Sequence, residues 1–281
     1  MILSTDSTAN LPQEYYEKLG IKMIPMQIYF NGEIFDDLSP DLPVKEFYKK
    51  MSEGAAPKTA QINRITATEY FENLLSGGED VLHISFSTAL SGNTDTIIQV
   101  ANELNKKHSN KVIVINSLNA SMGEGLLVLH AHDLMQEGKS INEIADDLNE
   151  YKKHCCSYFT VEQLKYLVRG GRLGKFSGII GSVLQIKPIL HVDDEGRLVS
   201  FKKVISRKKS IIELANICAE KLTDKKRVFI THADCEDEAN EVARLIKTKT
   251  DAEPVVTPLT QVIGCHTGPG LIAVFFEGAQ K

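Results

Sequence analysis

Short apolar runs alternate with segments of helical period along most of this chain, and that alternation admits few folds other than a layered α/β protein. Met1–Thr5 reads as a first strand, and Asn10 is placed to N-cap a helix carrying Leu11, Tyr15 and Leu19 on one face. The Asn31-Gly32 pair tolerates positive φ and predicts a hairpin within Ile21–Ile34. Thr66 with Glu69, and Ser140 with Glu143, have the spacing of capping boxes ahead of amphipathic runs. Between them lie a strand over Val81–Phe86, a helix with Ile97, Ala101 and Leu104 on one face, a strand over Val112–Ile115 and a helix through Leu126–Met135. This βαβα order predicts a mainly parallel sheet.

The texture changes near Cys155-Cys156. From Gln163 to Val192 there is no acidic residue, whereas Lys165, Arg169, Arg172, Lys175 and Lys187 all fall there. A domain boundary is therefore expected, dividing the chain into residues 1–155 and 156–281. In the second part Ile186–Val192 and Leu198–Val204 flank Asp193-Asp194-Glu195-Gly196 as an antiparallel hairpin. A helix through Ile211–Leu222, a strand over Val228–Thr231, a helix through Ala239–Ile246 and a closing strand over Leu271–Phe275 complete a mixed or antiparallel sheet with helices.

Charge and motifs exclude several functions. A net charge of −5 disfavours nucleic acid, which binds basic surfaces that replace its counterions. The N-terminus lacks a cationic leader, and no apolar run approaches the ~20 residues that span a bilayer, so a cytoplasmic protein is expected. Five cysteines without a C-x-x-C pair argue for neither a disulfide framework nor a zinc site. Gly170-Gly171-Arg172-Leu173-Gly174-Lys175 is glycine-rich and basic but wrongly spaced for a phosphate loop, and Gly123-Glu124-Gly125 lacks the third glycine of a dinucleotide fingerprint. His130 and His132, two residues apart, point to different helix faces and make a poor metal pair. No cofactor and no metal are expected.

Four segments carry a more specific signal. Asp6-Ser7-Thr8-Ala9-Asn10-Leu11-Pro12, Thr59-Ala60-Gln61, Ala89-Leu90-Ser91-Gly92-Asn93, and Leu164–Leu173 together with His266-Thr267-Gly268-Pro269-Gly270 resemble, in order, the motifs of the DegV family. Characterised members of that family bind fatty acids. Ala60, Asn93 and Asn116 depart from the family's usual serine, threonine and aspartate, while the hydroxyls that would meet the lipid carboxylate, Thr59 and Ser91, are retained. The resemblance implies a long-chain fatty acid whose carboxylate meets Thr59, Ser91, Gly92 and His266. It also implies a lipid-carrying subunit of a bacterial fatty acid kinase, linked to phospholipid metabolism. Such a protein presents the carboxylate to a separate ATP-dependent kinase subunit for conversion to acyl phosphate and is not itself an enzyme.

The chemistry is coherent residue by residue. A carboxylate taken from water must recover hydrogen bonds, and Ser91-Gly92, between a strand and a helix start, exposes free N–H groups at a positive dipole end. Thr59, Ser91 and His266 would add neutral donors, so no strong ion pair is expected at the head group. Taken singly, without the resemblance, Ser91 reads first as a helix cap, Thr59 as a turn residue and His266 as a core histidine; the whole motif set reverses that order. Phe176, Ile179, Ile180 and Leu184, mixed with small residues, are candidates to line the acyl tail or, equally, to form a core helix. A sixteen-carbon tail buried at ~0.8 kcal/mol per methylene would supply on the order of ten kcal/mol before entropic costs. Arg169, Arg172 and Arg207 are expected to dock the kinase or meet an anionic membrane surface transiently. The alternatives are a serine-dependent acyl hydrolase using Ser91 with His266 as base, which lacks an elbow motif and an acidic orienter, and a ligand sensor without a kinase.

Overall fold

A computed structural model describes residues 1–173 and 187–281. β1 (Ile2–Asp6), buried from Leu3 onward, runs into a single 3-10 turn at Ser7–Ala9. Then follow α1 (Gln13–Leu19), β2 (Lys22–Ile24), β3 (Gln27–Phe30), β4 (Glu33–Asp36), α2 (Val44–Ser52), β5 (Lys58–Ala60) and α3 (Arg64–Leu75). Next come β6 (Val81–Ser85), α4 (Asn93–Lys107), β7 (Val112–Asn116), α5 (Met122–Gln136) and α6 (Ile141–Tyr151). β2, β1, β6 and β7 form, in that order, a parallel sheet. Every residue of β6 is buried, as the middle of a helix-covered parallel sheet requires. β4, β3 and β5 make a small antiparallel sheet, with the expected turn at Asn31 (φ 52°) and Gly32 (φ 93°).

From Cys155 the sheet changes character. β8 (Cys155–Thr160), α7 (Lys165–Gly170), β9 (Ile189–Val192), β10 (Leu198–Lys202), α8 (Arg207–Lys221), β11 (Leu222–His232), α9 (Glu236–Thr250), β12 (Val255–Pro258), α10 (Gln261–Thr267) and β13 (Ile272–Gly278) succeed one another. The six strands lie in the order β10-β9-β8-β13-β11-β12, antiparallel except for the β11–β12 pair. Period-two alternation separates the two faces of this sheet. Cys156, Tyr158, Val274 and Phe276 join α8 and α9 in one core. Phe159, Ala273 and Phe275 face the other way, into a larger core shared with the N-terminal half.

Two expected helix starts are corrected. Asn10 does not cap α1: it sits in the left-handed region after the 3-10 turn, donates to Pro258 O at 3.1 Å and accepts from Thr260 N–H at 2.7 Å. Its side chain joins the two halves of the chain, and α1 begins beyond Pro12. At α3 the cap is Asn63, which accepts from Thr66 N–H at 2.9 Å; an equally good capping residue occurs three positions before Thr66 and starts the helix earlier. The Ser140–Glu143 capping box is formed as expected. β11 is longer than its apolar run because register shifts absorb the polar stretch before Val228. The short elements α2, β5, α7, β12 and α10 lack a long periodic pattern and were not expected.

Candidate functional site

The three head-group candidates arrive on separate elements. Thr59 lies in the middle of β5, Ser91 in the loop between β6 and α4, and His266 near the end of α10. Thr59 Oγ1 and His266 Nε2 are 2.9 Å apart. Ser91 Oγ accepts from Asn93 N–H at 3.2 Å, so its own proton is free of that bond. Gly92 caps α4, and a Cβ there would stand 2.7 Å from Gln61 Nε2. The absence of that atom lets the Thr59-Ala60-Gln61 segment meet the start of α4.

Glycines make the other close approaches. A Cβ on Gly170 would collide with His266 Nδ1, and one on Gly268 with the Tyr166 ring, so the α7 segment and the α10 turn fit only as glycine surfaces. The departures from the family pattern acquire roles too. Asn93 accepts from Ile62 N–H at 3.2 Å and donates to Asp6 Oδ2 at 3.3 Å. Asn116 accepts from Leu118 N–H at 3.1 Å and donates to Thr88 Oγ1 at 2.8 Å. Ala60 is exposed.

One cavity joins these residues. Its walls are mainly apolar: Leu90 and Phe86 beyond β6, Val262 on α10, and Phe159, Ala273 and Phe275 from the β8–β13 face. Thr59, Ser91, His266 and Arg172 also line it. The cavity opens beyond the carboxyl ends of β1 and β6, where the sheet order reverses, the usual ligand position of an open parallel sheet.

The arginines separate from one another. Arg172 lies on the cavity wall, with Nε donating to Leu90 O at 3.1 Å and Nη1 to Gly170 O at 2.5 Å. Arg172, expected at a docking surface, thus also puts a fixed positive charge on the cavity wall. Arg207, another docking candidate, has a side chain 16% exposed and paired with Glu238 at 2.6 Å. Its charge is already compensated. Arg169 is exposed and packs over the Tyr166 ring at 5.2 Å. Burial, with Arg172 and Arg169 adding to it, pushes the His266 pKa down to about 4 and keeps the ring neutral near pH 7. Phe176, Ile179, Ile180 and Leu184 lie outside the described residues.

The hydrolase geometry is not formed. His266 Nε2 meets Thr59 and not Ser91, and among the described residues its Nδ1 has no partner. Among the described residues no acidic orienter is bonded to His266 for a serine-histidine pair. His130, the other histidine of interest, is bonded to Asp147 at 2.7 Å.

Beneath the cavity lies a carboxyl pair that sequence reasoning missed. Asp6 accepts from Thr8 Oγ1, Ser85 Oγ (3.1 Å) and Phe86 N–H (3.2 Å). Glu124 lies 3.0 Å from the hydroxyls of both Thr5 and Thr8. Those hydroxyls are also bonded to Ile84 O and Asp6 Oδ1, and each has only one proton to give. A proton on Glu124 supplies one of these two contacts. Desolvation raises both carboxyl pKa values, that of Glu124 well above the usual range with Asp6 adding to it. The available signal was Gly123-Glu124-Gly125, where a Cβ on Gly123 would strike Asn119 and Ser157.

Fold and site together define an α/β protein with two main sheets, whose largely apolar cavity has hydroxyl, imidazole and guanidinium groups on its wall. Residues 2–279 match the profile of the DegV family, described there as uncharacterised proteins. The chain belongs to the DegV family. It is 36% identical to a DegV domain-containing protein of Clostridium perfringens, over 100% of this chain and 98% of that protein. Among solved structures, DegV of Bacillus subtilis, described as a fatty acid binding protein, matches at 30% identity and TM-score 0.85 over 98% of this chain and 97% of that one. A DegV family protein of Thermus thermophilus, described for its fatty acid binding, matches at 29% identity and TM-score 0.86, over 99% of each chain.

Proposed function

We propose that this protein binds one long-chain fatty acid in the cavity between its two main sheets. The carboxylate sits at Thr59, Ser91, Gly92 and His266, and a separate ATP-dependent kinase subunit converts it to acyl phosphate. The observation that carries the reading is the convergence of Thr59, Ser91 and His266 from three distant elements onto one largely apolar cavity. The fatty acids bound by the Bacillus subtilis and Thermus thermophilus proteins support the ligand class. The protein supplies burial and orientation, the partner supplies phosphoryl transfer, and the pair works in the cytoplasm on the way to phospholipid. Residues 1–155 and 156–281 act as two domains, with the lipid between them.

Arg169, exposed beside the site, is the arginine best placed to meet the kinase or a membrane surface. Native mass spectrometry of the purified protein is expected to show one retained fatty acid per chain, and an empty, lipid-indifferent protein would refute the reading. With lipid bound, an Arg169→Glu variant should slow acyl phosphate formation by the added kinase while leaving lipid occupancy unchanged. Unaltered phosphorylation would remove Arg169 from the docking surface.

A further inference from the structure

Two buried hydroxyls of cavity-lining residues have no hydrogen-bond partner among the described residues. Ser121 is 3% exposed and Thr231 is 0% exposed; both residues line the cavity, and among the described residues neither Ser121 Oγ nor Thr231 Oγ1 is bonded. Buried hydroxyls are ordinarily satisfied, and leaving one unpaired costs free energy. Ser121 occupies the N-cap position of α5, where a serine would normally accept a helix N–H. It makes no such bond, and its backbone is held at φ 53° and ψ −143°.

Ser121 stands at the start of α5 and Thr231 near the end of β11, two elements that pack together. Asp133, near the far end of α5, is bridged to Lys226 at 2.6 Å and to Arg227 at 2.9 Å, both on β11. The helix returns about 18 Å from there to Ser121, and the strand advances about 13 Å from Arg227 to Thr231. α5 and β11 pack together, so Ser121 and Thr231 fall toward the same end. The neighbouring polar groups are already committed: Ser157 Oγ donates to Asn119 Oδ1 at 2.7 Å, and Thr8 Oγ1 is held by Asp6 and Glu124. None of these residues is in the head-group set.

We infer that Ser121 and Thr231 form a second polar subsite, which hydrogen-bonds an oxygen carried along the acyl chain. The favoured ligand class is then a fatty acid with a chain hydroxyl or keto group. This rests on the fatty-acid reading above. Each wall hydroxyl rotates about one bond and can donate or accept, so a chain oxygen that reaches either can satisfy it, whereas a plain methylene satisfies neither.

Competition measured by native mass spectrometry tests this. Octadecanoic acid is set against hydroxyoctadecanoic acids whose hydroxyl is stepped along the chain. At one or two positions the hydroxy acid should be favoured roughly three- to tenfold. A Ser121→Ala/Thr231→Val double variant should lose that preference and still bind octadecanoic acid; if it does not fold, the volume-conserving Thr231→Val alone should reduce it. No favoured position, or a preference that survives in the variants, would overturn the subsite and leave those hydroxyls to water. Failure of octadecanoic acid itself to bind would instead overturn the fatty-acid reading beneath it.

Discussion

Thr59 and His266 share one hydrogen bond, so their protons must be counted together. With the ring proton on Nε2, His266 donates to Thr59 Oγ1 and frees the threonine proton for an anion; with it on Nδ1, that proton is spent on the ring. The first tautomer makes Thr59 a donor that His266 sets in place. Thr59→Val should therefore weaken binding of a long-chain carboxylate by about tenfold, or ~1.4 kcal/mol. Displacement of a fluorescent fatty acid reads this, and the methyl ester of the same chain should show a smaller loss. Glu124 makes a second proton-counting case. Its raised folded-state pKa means that the folded protein holds a proton which the unfolded chain releases above its ordinary carboxyl pKa of about 4.3. That stabilisation is complete below this value and is lost as pH rises towards the folded-state pKa. Glu124→Gln, which keeps the shape of the protonated acid, should raise Tm relative to the parent at pH 8, and the difference should shrink towards pH 4. A Tm difference independent of pH would mean that Glu124 does not titrate in this way.

At the scale of elements, strong local signals survived and weak ones were overridden. The Ser140–Glu143 box and the Asn31-Gly32 turn formed because both are complete within a few residues. Removing the cap by Ser140→Ala should cost about 1 kcal/mol, seen as a lower urea midpoint with unchanged slope. Asn10 was misread because its partners, Pro258 and Thr260, come from the opposite end of the chain. Gly123 has a similar long-range cause, since α5 can dock against Asn119 and Ser157 only without a Cβ at that position. Gly123→Ala is expected to destabilise by more than an ordinary helical Gly→Ala change stabilises, which is roughly 0.5–1 kcal/mol. A thermal melt compared with an exposed-glycine control decides its sign.

For the whole molecule, the two faces of the six-stranded sheet serve different ends. The Tyr158 and Phe276 face is packed solid against α8 and α9, while the Phe159, Ala273 and Phe275 face borders the cavity. Ala273→Phe should therefore fill the cavity and abolish lipid retention, with secondary structure by circular dichroism unchanged. Full retention would move the tail elsewhere. The alternating pattern alone determined the layered fold, the parallel first sheet and the hairpin of the second, because strand and helix periods are local properties. The motif set indicated which family's ligand to expect and nominated Thr59, Ser91 and His266. Tertiary structure alone decided that His266 bonds Thr59, that Arg172 joins the cavity wall, that Arg207 is neutralised by Glu238, and that Asp6 and Glu124 meet below the cavity. The physical reason is common to all four: hydrogen bonds, ion pairs and desolvation depend on distances between residues far apart in sequence, and only the packed chain fixes those distances.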